Sequence, residues 1–191
     1  MDKIHIAICD DEGTFLKHLK NRINSFYLSK GEVITITEFT NGEDLINGCK
    51  ELEFDLIFLD IEMPQMTGIE VITKLRAIYD DMTIILLTNY EDYVFESFRY
   101  NPFRYIRKSR IDNELEEALE AFQYKMKRAN SYYSFTTSHG IVSWRIDDIQ
   151  YMEVYQHYIH IHNKDKTIKV RASLEKLGKE FYYIEEPIER V

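Results

Sequence analysis

An apolar segment of strand length followed by an amphipathic segment of helix length occurs five times in the first two thirds of this 191-residue chain. This alternation constrains the fold most, because strands joined by helices pair in parallel and form a sheet that helices cover on both faces. The sequence therefore predicts an α/β fold with a doubly wound, five-stranded parallel sheet. The predicted strands are Lys3–Cys9, Val33–Glu38, Asp55–Leu59, Thr83–Leu87 and Phe103–Arg107, and the helices after them begin near Phe15 and span Gly42–Cys49, Gly68–Tyr79, Asp92–Arg99 and Asp112–Lys127.

The pattern changes near Asn130, which divides the chain into two predicted domains, 1–128 and 129–191. Residues 131–191 alternate polar and apolar positions in short aromatic and β-branched runs, which favours a small, mostly antiparallel β module. The acidic charge precedes this point: residues 1–130 contain 16 Lys and Arg against 24 Asp and Glu, and residues 131–191 contain 8 against 9. The predicted strands are Tyr132–Thr137, Ile141–Ile146, Ile149–Tyr155, His157–His162 and Thr167–Arg171, with a short helix from Ser173 to Leu177.

Composition excludes several classes of protein. The net charge of -9 argues against coating nucleic acid through bulk electrostatics. No apolar run approaches the ~20 residues of a membrane span, and the chain start lacks the basic and then apolar regions of a signal peptide. We therefore expect a cytoplasmic protein without membrane contact. Cys9 and Cys49 are too few for a disulfide framework and lack partners at zinc spacing, so we expect reduced thiols in the core.

Charged and polar residues stand directly after the predicted strands: Asp10 and Asp11, then Asp60, Thr88 and Lys108. The carboxyl ends of parallel strands meet at one edge of a sheet, so these residues should share one crevice. Three carboxylates in a small space repel one another unless a cation neutralises them, and their hard oxygen atoms favour Mg²⁺ or a similar ion. We interpret the site as one where Asp60 attacks a phosphorus centre and forms an aspartyl phosphate, while Lys108 and the metal neutralise the transferring oxygens.

Four segments that contain these residues resemble the motifs of response-regulator receiver domains: Ala7–Glu12, Leu56–Gly68, Leu86–Thr88 and Tyr105–Lys108. The resemblance spans roughly residues 1–128. It implies a CheY-like or flavodoxin-like fold and a phosphoacceptor signalling protein that catalyses only its own phosphorylation and dephosphorylation. It also implies a histidine kinase as the phosphoryl donor.

The same resemblance assigns roles to the acidic residues. Asp60 would be the phosphoacceptor. Asp11 and Asp60 would bind Mg²⁺ directly, together with the backbone carbonyl of Glu62, and Asp10 would act largely through water. Mg²⁺ is therefore the expected cofactor.

The resemblance further implies a switch near the phosphoryl group. Thr88 and Lys108 would contact the phosphoryl oxygens, and Tyr105 would be the aromatic residue that moves inward when the threonine is drawn to the phosphate. Two positions depart from the family: Asn89 stands where a small residue usually follows the threonine, and Ser109 where a proline usually follows the lysine. Since neither change removes an essential charge, we expect altered rates and not a loss of the chemistry.

By resemblance, receivers dimerise through the face formed by the predicted helix 92–99, the strand 103–107 and the helix 112–127. Opposite charges on this face could pair across a two-fold axis, so we expect a phosphorylation-dependent homodimer. The acidic residues are Glu91, Asp92 and Glu96, and the basic residues are Arg104, Arg107 and Arg110.

The second part resembles the first half of a LytTR-type DNA-binding domain, through Gly140–Val142, Asp148–Val154, His157–Ile161 and Ser173–Leu177. This resemblance implies promoter DNA as a partner. In that family, the loop that enters the strand predicted at His157–His162 is one of the places where DNA is read. The lysine and arginine side chains that follow in the sequence could meet phosphates or form an ordinary hairpin surface. A metal site at His157, His160 and His162 is a weaker alternative. The candidate DNA contacts are Gln156, His157, Lys164, Lys166, Lys169 and Arg171.

The acidic segment Phe181–Val191 departs from the LytTR family, which continues here with a basic, aromatic segment and further strands. A half-built β domain would leave edges and apolar faces uncovered, so we expect partial disorder, completion by another chain or a different fold. Our first hypothesis is a LytTR-type response regulator that controls transcription. The second is a signalling adaptor whose β module binds protein or self-associates. The third is a Mg²⁺-dependent phosphohydrolase, with Glu62 as general acid or base, which is disfavoured because no substrate-binding cap is evident.

Overall fold

The computed structural model describes residues 3–79, 81–89, 100–129, 131–172 and 177. The chain divides into two compact units, Met1–Ala121 and Phe122–Val191. The division lies within a helix that spans Ile111–Ala129. The domain boundary at 128 and 129 that the sequence suggests falls at the end of this helix and stays a prediction.

The first unit contains a five-stranded parallel sheet with the order β2-β1-β3-β4-β5, which confirms the predicted fold class. Every residue of β3 and β4 is buried, as expected of strands covered on both faces. The strands match the predicted positions to within two residues at either end. They are β1 His5–Cys9, β2 Thr35–Phe39, β3 Leu56–Asp60, β4 Ile84–Thr88 and β5 Arg104–Arg107.

Four helices of the described residues follow the predicted alternation: α1 Gly13–Ser29, α2 Gly42–Glu51, α3 Gly68–Arg76 and α4 Ile111–Ala129. The helix predicted at 92–99 lies outside the described residues, as do Glu91, Asp92 and Glu96. None of the described helices has both the length and the apolar character required to cross a bilayer.

The core of the first unit includes apolar side chains of the central strands together with those of α2 and α3. Both cysteines are buried and unpaired, as the sequence predicts. Burial raises the pKa of the Cys49 thiol to about 11, so this thiol is protonated at neutral pH. The residues of this core that carry the packing include Ala7, Cys9, Leu45, Cys49, Ile57, Leu59, Val71, Ile72, Leu75, Ile84 and Leu86.

The second unit contains a five-stranded antiparallel sheet with the order β7-β6-β10-β9-β8. Its core contains Phe135 and Trp144 of the first hairpin and Ile159 and Ile161 of β9. Of the predicted helix 173–177, only Leu177 is described, and it is buried in this core. The segment 181–191 lies outside the described residues. The strands are β6 Tyr132–Thr137, β7 Gly140–Arg145, β8 Tyr151–Tyr155, β9 Tyr158–His162 and β10 Thr167–Val170.

Candidate functional site

Three aspartates meet at the carboxyl edge of the parallel sheet. Strands β1 and β3 pair so that Cys9 lies opposite Leu59, and this register brings the next residues, Asp10 and Asp60, side by side. Carboxylate oxygens of Asp10, Asp11 and Asp60 all lie within 4.8 Å of one another. Asp10 and Asp60 are 0% and 1% exposed, whereas Asp11 is open to solvent. The structure thus brings together the acidic residues that the sequence places at one crevice.

Lys108 joins this cluster from the end of β5. Its Nζ lies 2.6 Å from Asp10 Oδ2 and 2.8 Å from Asp60 Oδ2, and its side chain is 11% exposed. The ammonium therefore bridges two buried carboxylates and marks the position at which additional negative charge would be stabilised.

The electrostatics of the cluster leave a negative charge uncompensated. Burial raises the pKa of Asp60 to about 6, the Lys108 ammonium opposes the shift, and the neighbouring Asp10 charge adds to it. Burial likewise raises the pKa of Asp10. Burial lowers the pKa of Lys108, but its bonds to Asp10 and Asp60 outweigh this and the net shift is upward. One ammonium thus faces three acidic groups, an arrangement that a divalent cation would complete.

The oxygen atoms of the cluster fit Mg²⁺. Both carboxylate oxygens of Asp60 are buried, and apart from the Lys108 ammonium and the Glu62 N–H they have no hydrogen-bond partner among the described residues. Glu62 follows two residues later, is exposed, and has a backbone N–H that helps to lower the pKa of Asp60. Hard oxygen ligands next to solvent suit an ion that keeps several water molecules. Among the described residues, this is the one group of three or more His, Cys, Asp and Glu side chains spaced to hold a metal.

The two candidate switch residues contact each other. Thr88 is fully buried at the end of β4. Burial raises the pKa of the Tyr105 hydroxyl, and a side-chain hydrogen bond with Thr88 opposes that shift. Tyr105 is half-buried and packs against the core that includes α2 and α3. Asn89, the residue after Thr88, is exposed.

Gly68 allows the loop after β3 to fold back onto the end of that strand. A Cβ atom at residue 68 would lie 2.1 Å from the Asp60 carbonyl oxygen and 2.8 Å from Ile61 Cα. The Gly68 N–H also donates to the Ile61 carbonyl at 2.8 Å. Thr67 caps the N-terminus of α3 and forms a capping box with Glu70. The sequence places this glycine in the Leu56–Gly68 motif but does not indicate its role.

Phe15 is a neighbour of the site that sequence reasoning missed. The ring centroid of this α1 residue lies 4.9 Å from Lys108 Nζ, within the range of a cation–π contact. Phe15 fits the apolar spacing of the helix, so the sequence offers no signal that separates it from an ordinary core residue.

The candidate DNA contacts divide between the two ends of β9. Gln156 and His157 form the exposed two-residue turn between β8 and β9, and Arg171 follows β10 at the same end. Lys164 and Lys166 lie in the loop at the opposite end. Since antiparallel strands rise ~3.4 Å per residue, the five residues of β9 separate the two groups by roughly 17 Å.

Two further candidates, Lys169 for DNA and His162 for a metal, contact other side chains of this sheet. Lys169 Nζ lies 3.8 Å from the centroid of the Tyr158 ring. His162 contacts Glu153 Oε1 through Nε2 at 3.0 Å and Thr167 Oγ1 through Nδ1 at 2.8 Å. Both ring nitrogens of His162 therefore have protein partners, which does not support the metal site considered for these histidines.

One family model and several curated proteins match the sequence of this chain. The family model for the response regulator receiver domain matches residues 6–120, a range that contains the acidic cluster and Lys108. The sensory transduction protein LytT of Oceanobacillus iheyensis is 34% identical over 108 residues, which are 56% of this chain and 42% of that protein. The transcriptional regulatory protein YxjL of Bacillus subtilis is 28% identical over 144 residues, which are 74% of this chain and 62% of that protein.

A solved structure shows the same fold. The response regulator TrrA of Thermotoga maritima, in complex with Mg²⁺ and BeF, is 31% identical, with a TM-score of 0.55 over 62% of this chain and 98% of that one. The matches to the two bacterial regulators cover less than two thirds of their lengths.

Proposed function

Because this chain belongs to the response regulator receiver domain family, we propose that a histidine kinase phosphorylates Asp60 and that this phosphorylation controls a LytTR-type DNA-binding output. The observation that carries the proposal is the Lys108 ammonium, which bridges the buried carboxylates of Asp10 and Asp60. Asp60 is the last residue of β3, the middle strand of the sheet, and it contacts this ammonium within the acidic cluster.

The chemistry is a transfer of one phosphoryl group to the Asp60 carboxylate. A bond forms between an Asp60 oxygen and phosphorus, and the bond between phosphorus and the donor breaks, so that the donor leaves as an imidazole or, from acetyl phosphate, as acetate. Lys108 orients the transferring oxygens and stabilises their charge. We assign Asp11, Asp60 and the Glu62 carbonyl as ligands of Mg²⁺, with Asp10 acting through water; the ion, when bound, supplies further positive charge to the phosphoryl oxygens.

The contact between Thr88 and Tyr105 suggests how phosphorylation of Asp60 could change the surface of the domain. Thr88 has a single hydroxyl, and in this structure it bonds Tyr105. A phosphoryl group on Asp60 offers that hydroxyl a charged acceptor, which forms a stronger hydrogen bond than a phenol does. The phosphoryl group and Tyr105 thus compete for Thr88, and the population of the two tyrosine positions depends on phosphorylation.

The phosphorylation-dependent homodimer stays a proposal, but the charges available to it differ from those that the sequence suggested. Arg104 Nη1 contacts Glu117 Oε1 at 2.8 Å, and Arg107 Nη2 contacts Glu114 Oε1 at 2.5 Å. Both arginines therefore have partners within the chain. We expect apolar contacts, more than these arginines, to supply the affinity of a dimer.

A signalling adaptor is the second candidate function. Among the described strands, β8 lies at the edge of the second sheet, and its Tyr151, Val154 and Tyr155 are 55%, 57% and 61% exposed. An exposed apolar edge strand is a template for pairing with another chain. The division of the candidate DNA contacts between two ends of β9 also favours this alternative over a single compact contact patch.

Binding of promoter DNA by the whole chain, with and without acetyl phosphate and Mg²⁺, separates the two functions. A DNA-binding output predicts an affinity that falls steeply with salt, because binding releases counterions from the phosphates, and that rises on phosphorylation. The Asp60→Asn variant should not respond to acetyl phosphate. The adaptor would be favoured if DNA binding were undetectable or independent of salt both with and without phosphorylation, and if sedimentation showed that phosphorylation changes the self-association of the chain.

A further inference from the structure

A carboxylate of α4 holds the end of the strand that carries Lys108. The backbone N–H of Arg107, the last residue of β5, donates to Glu114 Oε2 at 3.1 Å. The guanidinium of the same arginine donates to Glu114 Oε1 through Nε at 3.1 Å and through Nη2 at 2.5 Å. Glu114 therefore bonds both the main chain and the side chain of the residue that precedes Lys108.

This contact fixes a turn that the sequence leaves without a rigid residue. Among the strands that the structure describes, β5 pairs with β4 alone, so hydrogen bonds between strands constrain it on one side. Lys108 begins a three-residue 3-10 helix that leads into α4, and its second residue is Ser109, where a proline would have fixed φ. Glu114 lies in the first turn of α4 and reaches back across this connection.

From this geometry we infer that Glu114 is a positioning residue for Lys108. Its carboxylate clamps Arg107 and so fixes the backbone from which the lysine reaches Asp10 and Asp60. The role in phosphoryl transfer rests on the proposed function, because it assumes that Lys108 stabilises the transferring oxygens at Asp60.

The expected loss of phosphorylation rate in Glu114 variants follows from the short distances between Lys108 and its two carboxylates. Lys108 Nζ lies 2.6 Å and 2.8 Å from its two carboxylates. A displacement of a catalytic group by ~1 Å can lower a rate by up to ~100-fold. We expect Glu114→Ala to lower the rate of Asp60 phosphorylation by about 10-fold, since the ammonium is still attracted to its partners after the turn loosens. Glu114→Gln should retain part of the rate, because the amide oxygen can still accept the Arg107 N–H.

Glu117 provides a matched control on the same helix. It pairs with Arg104, another arginine of β5, at 2.8 Å, but the described contact reaches only the side chain. Glu117→Ala removes the same charge and one ion pair with the same strand. We expect its phosphorylation rate to stay within about 2-fold of the wild-type rate, because Arg104 does not adjoin Lys108 and an exposed ion pair contributes little to stability.

The decisive measurement is the rate of phosphorylation by acetyl phosphate at saturating Mg²⁺ in the wild-type chain, Glu114→Ala, Lys108→Ala and the double variant. If Glu114 acts through Lys108, the double variant reacts as slowly as Lys108→Ala alone. Independent losses that multiply in the double variant, or a wild-type rate in Glu114→Ala, would overturn the inference. A wild-type chain that is not labelled at Asp60 would instead contradict the proposed function.

A second measurement does not depend on phosphorylation. Mass spectrometry after brief treatment with an amine acylating reagent reports how well Lys108 is protected. We expect faster acylation of Lys108 in Glu114→Ala, with unchanged acylation in Glu117→Ala and an unchanged affinity for Mg²⁺. Equal protection of Lys108 in both variants would show that the lysine does not depend on the clamp.

Discussion

At the scale of single residues, the absence of a side chain at residue 68 is as important to the site as the charges. Gly68 follows the loop that closes over the end of β3, and a Cβ there would meet the backbone of Asp60 at 2.1 Å. Backbone atoms cannot rotate away as a flexible side chain can. Any larger residue must therefore displace the loop or the strand end that carries Asp60.

Gly68→Ala should lower the free energy of unfolding by ~1 to 3 kcal/mol, the usual cost of overpacking, and should also slow phosphorylation of Asp60. Chemical denaturation and the rate with acetyl phosphate measure the two effects. Gly13→Ala is the matched control, because a Cβ at this first residue of α1 has no atom within 4 Å. Equal stability of the two variants would contradict the close approach at Gly68.

Residues at strand ends were predictable from the sequence, whereas their supporting residues were not. Asp10, Asp60 and Lys108 each follow an apolar strand, so the topology of a parallel sheet brings them together. Phe15 is indistinguishable from a core residue of an amphipathic helix. Glu114 is equally well explained as an acidic residue in the first turn of a helix, where the helix dipole favours it. Such contacts depend on three-dimensional packing that has no local signature.

At the scale of elements, the predicted strands and helices agree with the described part of the structure, and the differences lie at their ends. The strand predicted at Ile149–Tyr155 begins at Tyr151 because Ile146–Asp148 forms a 3-10 turn before it. The strand predicted at His157–His162 begins at Tyr158 because Gln156 and His157 form the hairpin turn. In both cases the geometry of a turn sets the first residue of the strand, and the spacing of apolar residues in the sequence does not reveal that geometry.

The β8–β9 turn offers a test of the DNA-binding proposal. Gln156 has a φ of 56°, a left-handed conformation that glycine adopts without steric cost. Gln156→Gly should therefore keep the unfolding free energy within ~1 kcal/mol of wild type, because relief of strain offsets the greater freedom of the unfolded chain. If this side chain reads a base, specific DNA affinity should fall by about 10-fold. Fluorescence anisotropy with labelled promoter DNA measures the affinity.

The control for this turn is His139→Gly, which removes an exposed side chain from the turn between β6 and β7. It should leave DNA affinity unchanged. An affinity of Gln156→Gly equal to that of wild type would mean that the side chain at the β8–β9 turn does not contact DNA.

At the scale of the whole molecule, the two units differ in how strongly the observations point to a function. The first unit belongs to the receiver family and contains the complete acidic cluster with Lys108. The second unit forms an antiparallel sheet with its own core, and the proposal that it binds DNA rests on short motifs. An acidic first unit and a nearly neutral second unit favour local DNA contacts over long-range attraction.

Mg²⁺ should stabilise the folded chain, because unfolding disperses the acidic cluster that we propose as its site. At a concentration 100 times its dissociation constant, a ligand adds ~2.7 kcal/mol to the free energy of unfolding. Asp11→Asn should lose most of this gain, whereas Asp81→Asn, at an exposed aspartate before β4, should retain it. Thermal unfolding with Mg²⁺ and with a chelator measures the gain. An equal gain in all three proteins would place the ion elsewhere.

The most direct test of phosphorylation at Asp60 is the location of the label after incubation of the whole chain with acetyl phosphate and Mg²⁺. Intact mass gives the number of phosphoryl groups, and peptide mapping after reduction of the acyl phosphate gives their position. The structure predicts one phosphoryl group per chain, on Asp60, and its loss in Asp60→Asn. Labelling of Asp60→Asn at the wild-type level, or a label on another residue of the wild-type chain, would contradict the assignment of Asp60 as the phosphoacceptor.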